Sequence, residues 1–364
     1  MKIWLLRRCY TLAGGAERFT QRLAEILNQK GHEVWIAAEE WPNSSKGVYQ
    51  VEKIPSNSHQ AYSKECLQRI ASRKDGLIFS LERTVSQHIF RAGDGIHASW
   101  LKRRSRYQSF LPRLWNKLNP KHRAILELEK QVFTPQATEW VLANSSMVKQ
   151  EILERFSFPE ERIRVIHPGV DLSIFKPSDD LNRKNELRSG YEIPKDAVIW
   201  CFVGSGFERK GLRWAIQIAA LQQKQKVYLL VLGKGKRTYY EHLAEKIGFG
   251  SRLHFLPEGT NPLDVYHTSD AFILPTIYDP CSNATLEAAA CGLPVITTAA
   301  NGAAEWTKGL IMDDPSLVQE CAEACAAYAK PLLKSSLDSD LKAHLDEMHC
   351  WNEMLHLIDT CNFP

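Results

Sequence analysis

The sequence predicts an α/β protein built from two doubly wound parallel-sheet domains, on three observations. Apolar strand-like runs alternate with amphipathic helix-like runs along most of the chain. Its 364 residues exceed what one hydrophobic core usually fills. A polar stretch, "GVDLSIFKPSDDLNRKNELRSGYEIPKDA", separates one alternating series from a second.

The first series opens with "KIWLLR". Its apolar run is only four residues long before Arg7 and Arg8 interrupt it, so it reads as a first strand and not as a signal peptide. Gly14 and Gly15 follow, then a helix with Phe19, Leu23, Ile26 and Leu27 on one face, then the strand "HEVWIAAE". "GLIFSLE", "TEWVLANS" and "IRVIHPG" continue the strands, with the helix "MVKQEILERF" between the last two. Strands with so few polar positions fit a parallel sheet covered on both faces.

The second series runs "VIWCFVG", helix, "KVYLLVLG", helix, "RLHFLP", short helix, "AFILPT", helix, "PVITT". From Pro315 the pattern is helical, and "HCWNEMLHLI" is amphipathic enough to pack back on another element. The expected domains are 1–170 and 171–348, with a terminal helix over 349–364 returning to the first. No short-period repeat and no low-complexity tract is present.

Composition narrows the function classes. Hydrophobic content of 44% and charged content of 24% are those of a globular chain, and no apolar run approaches the ~18 to 20 residues that span a bilayer. Nine cysteines without a CxxC pair or a nearby histidine pair read as reduced thiols and not as a metal site. Net charge is +4, yet residues 100–123 alone carry eight Lys or Arg and no acid, which leaves −4 for the remainder. In that segment Trp100, Leu101, Tyr107, Phe110, Leu111, Leu114, Trp115 and Leu118 interleave with the cations, as in an interfacial membrane element, with Pro112 expected to split it into two helices. A solvated basic hairpin is the plainer alternative. The usual nucleic-acid motifs are absent, so no nucleic-acid partner is expected.

In open α/β sheets ligands bind beyond the carboxyl ends of the strands, and three loops there are unusual. "TLAGGAERF" places Gly14 and Gly15 at a helix start, where backbone can approach a phosphate; a tight turn explains them equally well. "CFVGSGFERKGL" matches neither the Rossmann nor the Walker glycine spacing, but sets Arg209 and Lys210 just before a helix that starts near Gly211. Cations there oppose the helix dipole unless an anion lies between, which favours a bound diphosphate. "YDPCSNATLEAAACGLPVITT" puts Asp279 on a loop before Pro280 and Glu287 inside the next helix, with Ser282 or Asn283 as its cap. Glu287 lies too far on to complete a capping box. The N–H groups of Ala284, Thr285 and Leu286 are expected to face an anion. A carboxylate matches a vicinal diol, so Glu287 suits a ribose and Asp279 a second polyol.

These residues resemble the E-x7-E signature of the retaining glycosyltransferases of family 4. "GGAERFTQRLAEILNQKGHEV", "VLANSSMVKQEI", "RVIHPGVDLSIFKP" and "FVGSGFERKGL" resemble further landmarks of that family, and the likeness is nearest to members that build lipopolysaccharide core. The resemblance implies the GT-B fold, two Rossmann-like domains facing a cleft, and a nucleotide-sugar donor that is a substrate and not a cofactor. It places Arg209 and Lys210 on the diphosphate, Glu287 on ribose, Asp279 on the donor sugar, and Gly14 and Gly15 across the cleft. Asp94 of "FRAGDGIHASW" falls in or near the acceptor site, with His97 as the alternative catalytic group. Asp279 stands where Glu is commoner and Ser282 where glycine is frequent.

The expected activity is therefore retaining transfer of a hexose, glucose first, from a UDP-sugar to a lipid-linked glycan. With two cations and a helix dipole to neutralise the leaving diphosphate and no DxD-like pair, no metal is expected. The expected location is the inner face of the cytoplasmic membrane. A non-catalytic sugar-nucleotide binder, or a nucleotide-sugar epimerase of the same shape, stays open.

Overall fold

Six consecutive buried residues, Val198–Val203, form a strand with no polar face, because helices cover both sides of the sheet it belongs to. The same pattern recurs through the chain. The structure, a computed structural model, describes every residue except 11–14, 44–46, 179, 223–225, 331–338 and 362–364. Gly14 thus lies outside the described residues. The chain divides into two units, one of Met1–His167 with Trp351–Pro364 and the other of Pro168–Cys350.

The first unit contains, in order, β1 (Lys2–Leu6), α1 (Gly15–Gln29), β2 (Glu33–Ala38), β3 (Gln50–Lys53), α2 (His59–Arg69), β4 (Leu77–Ser80), β5 (Gln87–Arg91), α3 (His97–Arg106), α4 (Phe110–Leu118), α5 (Pro120–Val132), β6 (Thr138–Ala143), α6 (Ser146–Arg155) and β7 (Ile163–Val165). Its seven strands are all parallel, in the order β3-β2-β1-β4-β5-β6-β7. Strand order reverses at β1 and β4, the switch point where such sheets open a ligand crevice. Trp4, Leu6, Tyr62 and Ile78 centre one core cluster; Phe90, Phe133, Val141 and Ile152 centre another.

The second unit contains α7 (Leu181–Gly190), β8 (Val198–Val203), α8 (Phe207–Lys210), α9 (Leu212–Ala220), β9 (Val227–Leu232), α10 (Arg237–Lys246), β10 (Leu253–Phe255), α11 (Pro262–Thr268), β11 (Ala271–Leu274), α12 (Asn283–Ala290), β12 (Val295–Thr298), β13 (Gly309–Met312), α13 (Val318–Cys325) and α14 (Ser339–Leu345). Its six strands are again all parallel, ordered β10-β9-β8-β11-β12-β13, with the switch point between β8 and β11. Register places Trp200 of β8 opposite Leu229 of β9 and Ala271 of β11. The last helix, α15 (Glu347–Thr360), brings Trp351 to within 5.0 Å of the Phe19 ring of α1.

Two local expectations are corrected. Pro112 does not split the basic segment: it occupies the first turn of α4, where a missing N–H costs nothing, and the break falls earlier, at Tyr107–Ser109, between α3 and α4. The helix expected to begin near Gly211 is preceded by a single extra turn, α8, so Arg209 and Lys210 are helical. None of the nine cysteines forms a disulfide, and no described helix is long and apolar enough to cross a membrane.

Candidate functional site

The loops after β8 and β11 meet at the switch point of the second unit, and steric contacts fix how they meet. Gly211 has φ +81°, and a Cβ there would lie 1.9 Å from the Pro275 carbonyl oxygen, so only glycine lets the α8–α9 corner lie against the β11 loop. The Arg209 carbonyl accepts from the Ile277 N–H at 3.0 Å and from the Thr276 hydroxyl at 2.9 Å. These bonds set Arg209 and Lys210 directly over residues 276–279.

There the cations meet Asp279. Lys210 Nζ donates to Asp279 Oδ2 in a close ion pair and lies 3.4 Å from the Ser282 hydroxyl. Arg209 Nη1 lies 3.5 Å from the same carboxylate oxygen and donates to the Tyr278 carbonyl at 3.0 Å. Lys210 is only 8% exposed and Asp279 only 5%. Burial lowers the lysine's pKa, and Asp279 partly opposes it. The anion that two adjacent cations before a helix demand is thus supplied by the chain itself, where the sequence pointed to a ligand diphosphate.

The start of α12 also differs from expectation. The helix begins at Asn283, and Ser282 is its N-cap, but the Ser282 side chain makes no capping bond and turns to Lys210 instead. The N–H groups of Thr285 and Leu286 both donate to the Ser282 carbonyl, at 3.1 and 3.2 Å, so they are not free for an anion. Of the three amides expected there, Ala284 alone keeps that possibility. Glu287, half-buried one turn into α12, accepts from the phenol of Tyr266 at 2.9 Å. Tyr266 is fully buried on α11, and burial, with the Glu287 charge added, pushes its pKa well up.

Tyr266 and Asn301 were missed in the sequence, and Ser282 was read there as a helix cap. Asn301 is buried just beyond β12; its Oδ1 accepts from the N–H groups of Ser282 and Ala303, and its Nδ2 donates to the Thr285 and Thr297 hydroxyls. Asp279 is held alongside, its N–H donating to the Ala300 carbonyl and its carbonyl accepting from Gly302, both at 2.9 Å. A polar residue just past a buried strand was the available signal.

In the first unit, Gly15 opens α1 and is exposed. Asp94 is exposed in the Gly93–Gly95 turn after β5, which Asn144 holds through the Gly93 carbonyl and Arg83 through the Gly95 carbonyl. Its charge acts on Arg7, Glu82 and His59. Arg7, just past β1, pairs with Glu17 at 3.2 Å and with Glu82 at 3.1 Å. This charged group lies at the β1/β4 switch point and was also missed.

His97 sits differently from Asp94. Its Nε2 lies 3.0 Å from His122 Nδ1, tying α3 to α5, and its ring lies 5.3 Å from that of Trp100, tilted by 39°. Burial, then Arg83, His122 and His59, push its pKa down to about 3. A neutral imidazole with so little affinity for a proton is a poor general base. The structure therefore gives His97 a packing position, while buried Glu129 caps α3 through the His97 and Ala98 N–H groups.

The basic segment is divided by role. Arg103 pairs with Glu151 at 3.2 Å and Arg104 covers Trp100. In α4, Phe110, Leu111, Leu114, Trp115 and Leu118 share one face and none is buried; Leu111 is 75% exposed and Trp115 72%. A groove of about 630 Å³ runs between α3, α4 and α5, lined by Leu101, Leu114 and Leu126 with Lys102, Arg113 and Lys117.

Comparison with known proteins now bears on this architecture. Residues 13–174 match the family described as Glycosyltransferase Family 4, and residues 197–330 match Glycosyl transferases group 1. The chain belongs to these glycosyltransferases. Its two Rossmann-like units are those of the GT-B fold. A similar protein is the lipopolysaccharide glucosyltransferase WaaG of Escherichia coli K12, 22% identical over 303 residues that cover 80% of this chain and 79% of WaaG. A crystal structure of WaaG, described as a glycosyltransferase involved in lipopolysaccharide biosynthesis, superposes with a TM-score of 0.75 at 21% identity, covering 99% of this chain and 96% of that one. Anabaena HepE, solved in complex with UDP-glucose, gives 0.68 at 16% identity, covering 99% and 100%. At these identities the likeness to solved structures is one of fold.

Proposed function

We propose that this glycosyltransferase moves a hexose, glucose first among candidates, from a UDP-sugar to a lipid-linked glycan such as lipopolysaccharide core, with retention at the anomeric carbon. The observation that carries the reading is the gathering of Arg209, Lys210 and Asp279 at the β8/β11 switch point, just before α12 and Glu287. The names of the similar proteins favour UDP-glucose and lipopolysaccharide within that class.

In this reading Arg209 and Lys210 neutralise the diphosphate as it leaves, Glu287 takes the ribose diol in the orientation Tyr266 gives it, and Asp279 takes sugar hydroxyls. The sugar's bond to the diphosphate oxygen breaks as the acceptor oxygen bonds the same face, and the acceptor's proton passes to the departing phosphate oxygen. Two cations beside the leaving group supply the charge that a metal would, so transfer proceeds in EDTA. Asp94, exposed beside the Arg7–Glu82 group, serves the acceptor. The unburied apolar face of α4 and the cations of residues 100–123 hold the protein peripherally on the anionic inner face of the cytoplasmic membrane.

Calorimetric titration of UDP tests the site. Arg209→Ala removes a charge-assisted contact worth about 1.5 to 3 kcal/mol, so affinity falls roughly tenfold or more. Equal affinity in the variant and the wild type removes the assignment.

A further inference from the structure

The close pair between Lys210 and Asp279 poses a problem for any ligand of this site. Both residues are buried, and a buried charge is tolerable only when paired. A diphosphate that bonds the Lys210 ammonium competes there with Asp279.

The rest of the geometry says which partner can move. The Lys210 stem is packed against Gly204, where a Cβ would lie 3.3 Å from Lys210 Cε, and its backbone N–H donates to the Gly206 carbonyl. The neighbouring Arg209 carbonyl is held twice by the β11 loop. The lysine is thus the more firmly seated partner, held by its stem and by the α8 backbone. The Asp279 backbone is fixed at its N–H and its carbonyl, yet its side chain needs only a rotation to leave the ammonium. Ser282, which forgoes capping to face Lys210, marks where an arriving oxygen would complete the ammonium's bonds at the head of α12.

We propose that Asp279 is the internal counter-ion of Lys210, exchanged for the donor's diphosphate on binding, so that seating the phosphates releases a carboxylate for the donor's sugar. Asp279 then has two opposed effects. It competes with the nucleotide for the lysine, which weakens binding, and once displaced it positions the sugar, which speeds transfer. Until the donor arrives it also keeps Lys210 from standing as an unpaired buried charge. The groups facing the ammonium are Asp279, Arg209, Ser282 and Cys281, and only Asp279 brings a close negative charge.

The inference rests on the proposed function and predicts a sign that structural damage would not produce. In titrations at about pH 6.5, Asp279→Asn binds UDP more tightly than wild type, by about fivefold or more, because the competing carboxylate is gone. Its kcat for sugar transfer falls by about tenfold or more. Asp279→Glu, which keeps the charge, returns UDP affinity to within about twofold of wild type. Asp279→Ser gives the same sign as Asn should the amide disturb folding, which a thermal melt of each variant would reveal. Equal or weaker UDP binding by Asp279→Asn and Asp279→Ser, while Arg209→Ala still loses affinity, overturns the exchange and leaves the proposed site standing. If wild type binds no UDP, or Arg209→Ala binds it unchanged, the proposed site itself falls and the exchange with it.

Discussion

Trp115 on α4 gives the most informative single perturbation of the membrane reading. With 72% of its surface exposed and no buried residue on its helix, it adds little to the fold, so Trp115→Ala leaves the melting temperature within about 1 °C of wild type. Transfer of a large apolar side chain out of water is worth about 1.5 to 3 kcal/mol when complete. Scaled to the exposed share, Trp115 contributes about 2 kcal/mol to insertion, a roughly thirtyfold change in partition coefficient. The assay is sedimentation with vesicles of mixed neutral and anionic lipid, at low salt and at about 1 M salt, where the Debye length shrinks to about 3 Å and the cations act little. The loss in Trp115→Ala persists at high salt, whereas changing Lys102, Arg106, Arg113 and Lys117 to Ser abolishes binding mainly at low salt. Arg103 and Arg104 are left in place because Glu151 and Trp100 engage them. Equal high-salt binding by Trp115→Ala and wild type would refute insertion of α4, and no low-salt binding by wild type would refute membrane association altogether.

Three further outcomes are expected. Tyr266→Phe frees Glu287 from its phenol, so the KM for the donor rises about three- to tenfold while kcat stays within about twofold, and an unchanged KM would detach Glu287 from ribose. His97 holds a pKa of about 3 against an unfolded value near 6.5, so only the unfolded chain takes up that proton as pH falls from about 6.5 towards 3 and stability drops over that window. His97→Gln removes about 1 kcal/mol of the loss between about pH 7 and pH 5 in urea melts, a figure discounted for the ring's partial exposure. Gly211→Ala drives a Cβ into the Pro275 carbonyl and costs about 3 kcal/mol or more together with UDP binding, whereas Gly248→Ala, at φ +70° with open space around it, costs only about 1 to 2 kcal/mol.

The architecture was legible because burial on both faces leaves runs such as "VIWCFV" and "VYLLVL" without polar interruption. Where burial is partial the signal fades. The edge strands β3, "QVEK", and β13, "GLIM", are four residues long and largely open to solvent, so nothing in their pattern separates them from loops. The inner strand β5 was hidden by its own polar ends, Gln87 and Arg91, which are buried by packing and not by composition.

The site was legible by residue type and not by pairing. Arg209, Lys210, Asp279 and Glu287 were found from charge placed beside helix starts. That Lys210 meets Asp279 across 69 residues depends on the β8/β11 register and on the Gly211 contact, neither of which any local window contains. Tyr266 and Asn301 escaped for the same reason: a buried phenol and a buried amide look like ordinary core residues until their partners are known. His97 was drawn into the site by its proximity in sequence to Asp94, whereas helix α3 turns its ring towards His122.

The central claim, transfer from a nucleotide sugar by this chain with retention, is tested most directly by the anomeric configuration of the product. The full chain is incubated with UDP-glucose, in which the glucose is α-linked, and a lipid-linked core glycan in the presence of EDTA, and the new linkage is read by proton NMR from the coupling of its anomeric signal. The account predicts an α-linked product. A β-linked product, or release of UDP with no sugar transferred to any lipid-linked acceptor, would contradict it.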